Sequence, residues 1–202
     1  MCYFKSVLFA FLLGITSWLP LYAQSTDSIS FEDIPLTWAD FTPSNAKIDG
    51  KTAALAMHTL MTIEQSEEGW VWVRATMQQV KANSYVYKPF LDTASDVRKQ
   101  ALLRHEKGHF IIAVLKQIWL EDTLNTIQLK KSLGLEQQLK PVFVAIESKG
   151  SKLQQQYDKD TYHSTIADEQ QKWEQRLLKM LNEAMQGRNS FPFEIERRIR
   201  LR

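Results

Sequence analysis

The sequence predicts an α+β fold, because strand-like and helix-like patterns occupy different parts of the chain. Short β-rich segments lie between residue 52 and about residue 88, and helical patterns follow up to about residue 186. A chain of 202 residues is expected to have one hydrophobic core. No internal repeat or low-complexity segment indicates an array.

The amino terminus has the features of a signal peptide. Lys5 precedes an apolar run over residues 7–21, and Ala23 stands before a possible cleavage site. That run is short for a membrane span, which takes roughly 20 residues. We therefore expect residues 1–23 to be removed and residues 24–202 to form one secreted or periplasmic domain, with an uncleaved membrane anchor as the alternative.

Composition restricts the chemistry of the mature chain. Cys2 is the only cysteine and lies within the predicted signal peptide, so any metal must be held by histidine and carboxylate. The formal net charge of +2 gives no electrostatic reason to expect a nucleic-acid partner. The basic end of the chain, residues 190–202, is interpreted as a solvated tail.

The segment before residue 52 contains Trp38 and Phe41 and is expected to pack in extended form on the body. Three antiparallel strands are then predicted in "TAALAMHTLMTIEQ", "GWVWVRATMQQV" and "NSYVYK". In the second of them, Val71, Val73 and Ala75 share one face, which can be buried. The turn signal "SEEG" separates the first two strands.

A long helix should follow, with Thr93 and Ser95 as capping candidates and no proline for about 25 residues. A second helical pattern comes after Gly134, and Pro141 predicts a kink or a break within it. A third extends over residues 166–186 and stops at Gly187. The predicted architecture is therefore a set of strands packed on a long helix, followed by two or three further helices.

The long helix carries the pattern H-E-x-x-H at His105, Glu106 and His109. With 3.6 residues per turn, the two histidines lie about 40° apart and can reach one metal ion on the same side. Glu106 lies about 100° further round, where it can orient a water on the metal. Gly108 costs up to about 1 kcal/mol relative to alanine inside a helix, which indicates a close approach of another backbone or a substrate.

This spacing is typical of zinc hydrolases. Zinc lowers the pKa of bound water towards about 7, and a neighbouring carboxylate can take its proton. The alternative is a solvated histidine pair, with Glu106 pairing Arg104 or Lys107 on an exposed face. Apolar neighbours such as Leu102, Phe110 and Ile111 favour the metal site, since they place this turn near the core.

A catalytic zinc usually has three protein ligands, so a third must come from elsewhere. His163, in the polar segment "YDKDTYHS", is the predicted third ligand. Asp158 and Asp160 are rival ligands or partners that fix an imidazole tautomer. Glu136 is a further possibility without a distinguishing context, and a helix-entry role is the alternative for His163.

Two tyrosines of the same segment, Tyr157 and Tyr162, are candidates to donate a hydrogen bond to the oxyanion formed as water attacks.

The chain resembles a family of secreted bacterial proteins of unassigned function that are described as predicted zinc-dependent proteases. The similar segments are "LTWADF", "NSYVYK", "LLRHEKGHF" and "YDKDTYHS". In the last one, Tyr157, Asp158, Thr161 and His163 match, whereas Ser164 replaces a glycine that would adopt positive φ more easily. The resemblance implies a secreted metal-dependent peptidase.

The sequence therefore predicts a secreted zinc hydrolase, specifically a peptidase acting on peptide or protein. His105, His109 and His163 would bind Zn²⁺, and Glu106 would be the general base. One alternative is a non-catalytic protein of the cell envelope that zinc stabilises. Another is a metal-free module that binds an envelope partner.

Overall fold

The computed structural model describes residues 28–202, so the predicted signal peptide lies outside the described residues. Small sheets and long helices share this part of the chain, which confirms the predicted α+β class. The strands are β1 (Thr42–Ser44), β2 (Ala53–Ala54), β3 (Met57–Gln65), β4 (Trp70–Gln79), β5 (Tyr85–Tyr87) and β6 (Glu194–Arg200). The helices are α1 (Lys88–Thr93), α2 (Asp96–Thr126), α3 (Leu135–Thr161) and α4 (Ala167–Ala184).

One sheet has the antiparallel order β3-β4-β6. The predicted inward face of β4 is confirmed, because Val71, Val73 and Ala75 are fully buried. The prediction of a solvated carboxy-terminal tail is wrong, since residues 194–200 form β6 against β4. The alternation of the segment explains this pairing, because Ile195 and Ile199 are buried on one side of the strand.

The other sheet has the order β1-β5-β2, with β1 parallel and β2 antiparallel to β5. The predicted antiparallel pairing therefore holds for β3 with β4 and for β2 with β5. The expectation of one antiparallel set is wrong, because β5 lies in a separate sheet and has β1 as a parallel neighbour. A 3₁₀ turn at Lys81–Asn83 follows β4 and redirects the chain into this separate sheet. The amino-terminal segment supplies β1, and its Phe41 is buried against Trp38, with ring centroids 5.2 Å apart.

Helix α2 contains 31 residues and packs against α3 and α4. Ser95 is its N-cap, and its hydroxyl accepts a hydrogen bond from the backbone N–H of Arg98 at 3.4 Å. Thr93 instead ends α1. Most of the middle of α2 is buried, so polar side chains there lie inside the protein.

The sequence predicts a kink or a break at Pro141, and the break is wrong because α3 continues through this residue. Leu139 and Ile146 lie on the two sides of the proline, and both are buried in one hydrophobic cluster that holds the helix together. Helix α4 matches the third predicted helix and buries Trp173, Leu177 and Leu181. Within residues 28–202, no helix combines the length and apolar character that a membrane span requires.

Candidate metal centre

The H-E-x-x-H motif lies in the buried part of α2. His105 and Glu106 are almost completely buried, and His109 retains a small exposed surface. This placement rules out the alternative of a solvated pair on an exposed helix face. It also means that Arg104 does not pair with Glu106, because its guanidinium binds Glu174 and Glu32 instead.

Four side chains bring metal-binding atoms together. Nε2 of His105 lies 3.2 Å from Nε2 of His109. Oδ1 of Asp158 lies 3.1 Å from the first nitrogen and 2.9 Å from the second. Nδ1 of His163 lies 3.5 Å from the same oxygen. Ligand atoms about 2.1 Å from a tetrahedral zinc are separated by roughly 3.4 Å, so the atoms of His105, His109 and Asp158 have the spacing of ligands to one ion.

The structure thus contains a group that could hold a metal ion, formed by His105, Asp158 and His163. Burial by itself would raise the pKa of Asp158. The imidazoles of His105 and His109, through hydrogen bonds and charge, hold that pKa well below its usual range. The carboxylate is therefore ionised and available as an oxygen donor.

The end of α3 sets the positions of Asp158 and His163. Asp158 lies in the last turn of the helix, which α2 faces. The chain then has positive φ at three successive residues, namely Tyr162 (45°), His163 (52°) and Ser164 (72°). This left-handed turn directs the His163 ring back towards Asp158. Ser164 therefore holds a backbone conformation that glycine adopts more easily.

Two other predicted rivals lie elsewhere. Asp160 accepts hydrogen bonds from Nε1 of Trp173 at 3.0 Å and from Nε2 of Gln156 at 2.7 Å, so it faces another side of α3. Glu136 is exposed near the start of α3, where Lys140 lies 3.6 Å away. Neither carboxylate belongs to the group of metal-binding atoms.

Gln170 of α4 fixes the orientation of His105, and the sequence did not indicate this residue. Its Oε1 lies 3.2 Å from Nδ1 of His105, and its Nε2 donates to the Tyr157 hydroxyl at 2.7 Å. An amide whose nitrogen donates to tyrosine presents its oxygen to the ring, where it can accept a proton carried by Nδ1. A neutral His105 in that tautomer would present Nε2 as the metal-binding nitrogen.

Tyr157 is buried beneath the group and supports the other side of His105. The two rings stack with centroids 4.6 Å apart and an interplanar angle of 19°. The tyrosine hydroxyl donates to the backbone carbonyl of His105 at 3.1 Å. Gly108 leaves room for this ring, because a Cβ there would lie 2.4 Å from the hydroxyl oxygen. The close approach predicted at Gly108 therefore comes from a side chain.

Glu106 has the environment of a proton acceptor. Burial raises its pKa to about 7, opposed by the charge of His105 and a hydrogen bond from the backbone of Leu55. Its Oε2 is buried and has no hydrogen-bond partner among the described residues. A general base works best with a pKa near the operating pH, so this carboxyl is suited to proton transfer.

A cleft of about 780 Å³ opens above these residues. His105, Glu106, His109, Asp158 and His163 all line it. Tyr162 also lines the cleft with a side chain that is largely exposed, whereas Tyr157 has no exposed surface. A substrate in this cleft would touch the metal-binding group and Glu106 together.

Comparisons of the chain with known protein families, with curated proteins and with solved structures found no match. The geometry of the site therefore carries the functional argument.

Proposed function

We propose that this protein is a zinc-dependent hydrolase acting outside the cytoplasm, and specifically a peptidase. The observation that carries the proposal is the unpartnered, buried carboxylate oxygen of Glu106 beside a convergent set of metal donors at the floor of a cleft. A residue that only filled space would not keep a buried, unsatisfied polar atom, which costs about 1–3 kcal/mol. Such orphaned groups are expected at catalytic sites.

Zinc is the metal that fits these donors best. Imidazole nitrogens with one carboxylate oxygen are a common zinc ligand set, and the mature chain offers no thiolate. His105 and His109 supply two ligands, and Asp158 completes the triangle because its oxygen lies within 3.1 Å of both nitrogens. His163, the ligand predicted from the sequence, is the adjacent donor.

When bound, zinc polarises the substrate carbonyl and makes water a stronger acid. Glu106 takes a proton from the attacking water on its free Oε2 and passes it to the leaving amine nitrogen. Gln170 accepts the proton on Nδ1 of His105 and so keeps the ring turned with Nε2 towards the other donors.

The two tyrosines then have different roles. The hydroxyl of Tyr157 donates to the carbonyl of His105, so Tyr157 is a positioning residue. This role replaces the predicted hydrogen bond from Tyr157 to the oxyanion. Tyr162 lies exposed at the cleft and keeps the predicted role of hydrogen-bond donor to the oxyanion.

A non-catalytic zinc protein is the second candidate, favoured by the number of donors. If His163 joined the other three donors, the ion would have four protein ligands, as in structural sites, and it would tie α2 to the end of α3. Such a site needs no buried free carboxylate beside it. Glu106 therefore separates the two functions.

The test combines metal analysis with one substitution. The protein purified in zinc-containing buffer should hold one zinc per chain by mass spectrometry and cleave a mixed peptide library. Glu106→Gln should keep the zinc and lose at least about 100-fold in activity, while the exposed control Glu136→Gln should retain both. Protein without zinc contradicts the metal centre. A zinc-loaded protein in which Glu106→Gln leaves cleavage unchanged contradicts the peptidase.

A further inference from the structure

Three basic side chains stand around the cleft that holds the metal-binding group. Lys47, Lys51 and Arg98 all line the cleft and are exposed. None of them forms an ion pair with another residue of the described range 28–202. Lys47 lies over the ring of Tyr87 at 5.8 Å, whereas Lys51 and Arg98 have no such contact. We call Lys47, Lys51 and Arg98 the basic rim.

The backbone at Lys51 is held by a fixed turn. Its N–H donates to the carbonyl of Ile48 at 3.0 Å, and Asp49 and Gly50 between them have positive φ values of 52° and 73°. The hydroxyl of Tyr85 also donates to the Ile48 carbonyl, at 2.6 Å, which fixes the turn to β5. The turn leads directly into β2, so Lys51 has a defined place above the cleft.

Lys51 lines the same cleft as Glu106 and His163. A substrate bound over Glu106 therefore lies in the cleft whose rim carries this ammonium. Arg98 enters the cleft separately, from the first turn of α2.

The acidic groups of the cleft do not neutralise the basic rim. Glu106 and Asp158 lie deeper, where one is buried and the other contacts the histidines. Asp49 is the carboxylate left at the level of the rim, against three cations. A concave surface with one excess sign of charge concentrates its field and attracts the opposite charge.

We propose that the basic rim binds a carboxylate of the substrate, with Lys51 as the main specificity residue and Arg98 as the second. The preferred substrates are peptides with a negative charge close to the bond that is cut. That charge is either an Asp or Glu side chain or the free carboxyl terminus. This inference rests on the proposed peptidase function and names its substrate class.

The experiment uses quenched octapeptides of alanine and leucine in matched sets. One set contains Glu at one position where the other contains Gln, and each is made with a free and an amidated carboxyl terminus. Wild-type protein should cleave the carboxylate-bearing peptides about fivefold faster in kcat/KM, the size expected for an exposed charge pair. Faster cleavage of the Glu peptide than of the Gln peptide shows that the rim binds a side-chain carboxylate. Faster cleavage of the peptide with a free terminus shows that it binds the terminal carboxylate.

Substitution then assigns the preference to the rim. Lys51→Met should move the ratio of charged to neutral rates towards one, with Arg98→Met showing a smaller effect. Lys81→Met is the control, because Lys81 is exposed outside the cleft and pairs with no acidic residue within positions 28–202. Equal loss on charged and neutral peptides would overturn the assignment, and so would a wild-type ratio of one.

A binding measurement separates this inference from the proposed function. Hydroxamates of Glu and Gln dipeptides are compared by calorimetry, since hydroxamate is directed at zinc. Tighter binding of the Glu compound, lost in Lys51→Met, supports the rim. Equal binding overturns the rim and leaves the metal centre intact. Failure of both compounds to bind overturns the metal centre and the inference together.

Discussion

Gly108→Ala tests whether the metal centre depends on the packing beneath it. A Cβ at this position would lie 2.4 Å from the hydroxyl oxygen of Tyr157 and 2.6 Å from the adjacent ring carbon. Atoms in real structures do not approach so closely, so the tyrosine or α2 must move. The ring cannot move freely, because it is buried and stacked on His105 and its hydroxyl bonds Gln170.

The magnitude follows from two opposed effects. Alanine in a helix is favoured over glycine by about 1 kcal/mol. Overpacking a core costs about 1–3 kcal/mol, and a displaced hydrogen bond costs about 1 kcal/mol more. We therefore expect Gly108→Ala to lower the free energy of unfolding by about 2 kcal/mol in total. In a domain of this size that shift lowers Tm by about 4–8 °C.

The measurement is urea and thermal unfolding of the zinc-free protein, followed by zinc titration. The control is Gly134→Ala, because no atom lies closer than 3.8 Å to a Cβ there. The control should lose less than about 1 kcal/mol, since Gly134 is the N-cap of α3 and glycine is preferred to alanine there. Zinc affinity should also fall in Gly108→Ala, since Tyr157 positions His105. Unchanged or increased stability of Gly108→Ala would refute the reasoning.

The remaining predictions concern the metal. Asp158→Asn should weaken zinc binding at least about 100-fold, whereas Asp160→Asn should leave it unchanged; equal effects in calorimetry would contradict the ligand assignment. Gln170→Leu should weaken zinc binding about 10–100-fold, because the His105 ring loses the partner that orients it. The matched control Gln171→Leu, at an exposed neighbouring residue, should leave zinc binding unchanged. Removing zinc present at 100 times its Kd should lower the unfolding free energy by about 2.7 kcal/mol, measured by calorimetry. A Tm insensitive to chelator would contradict a metal that binds the folded chain.

The sequence correctly predicted features that depend on local geometry. The spacing of His105 and His109 places both rings on one side of α2 whatever the rest of the chain does, because backbone hydrogen bonds fix the helical period. The alternation in β4 predicted its buried face in the same way. Ser95 could be identified as a cap because its hydroxyl bonds a group only three residues away.

The predictions that failed concern which segments meet. Residues 194–200 alternate in the sequence, but their charges favour a solvated tail by local rules. Only the partner strand β4, more than a hundred residues earlier in the chain, makes this segment a strand. Pro141 likewise suggested a break from local rules, and packing of the residues around it kept α3 continuous.

Tertiary structure alone decided how the metal centre is completed. Asp158 and Asp160 are chemically equal and two residues apart, and the crossing of α3 over α2 turns one towards the histidines and the other towards Trp173. Gln170 has no sequence signal, since its role depends on where α4 meets His105. Because the helical period is fixed, sequence spacing determines which residues share one face of α2. The meeting of side chains 53 and 65 positions away from His105 depends on how the core packs, and that is a property of the whole fold.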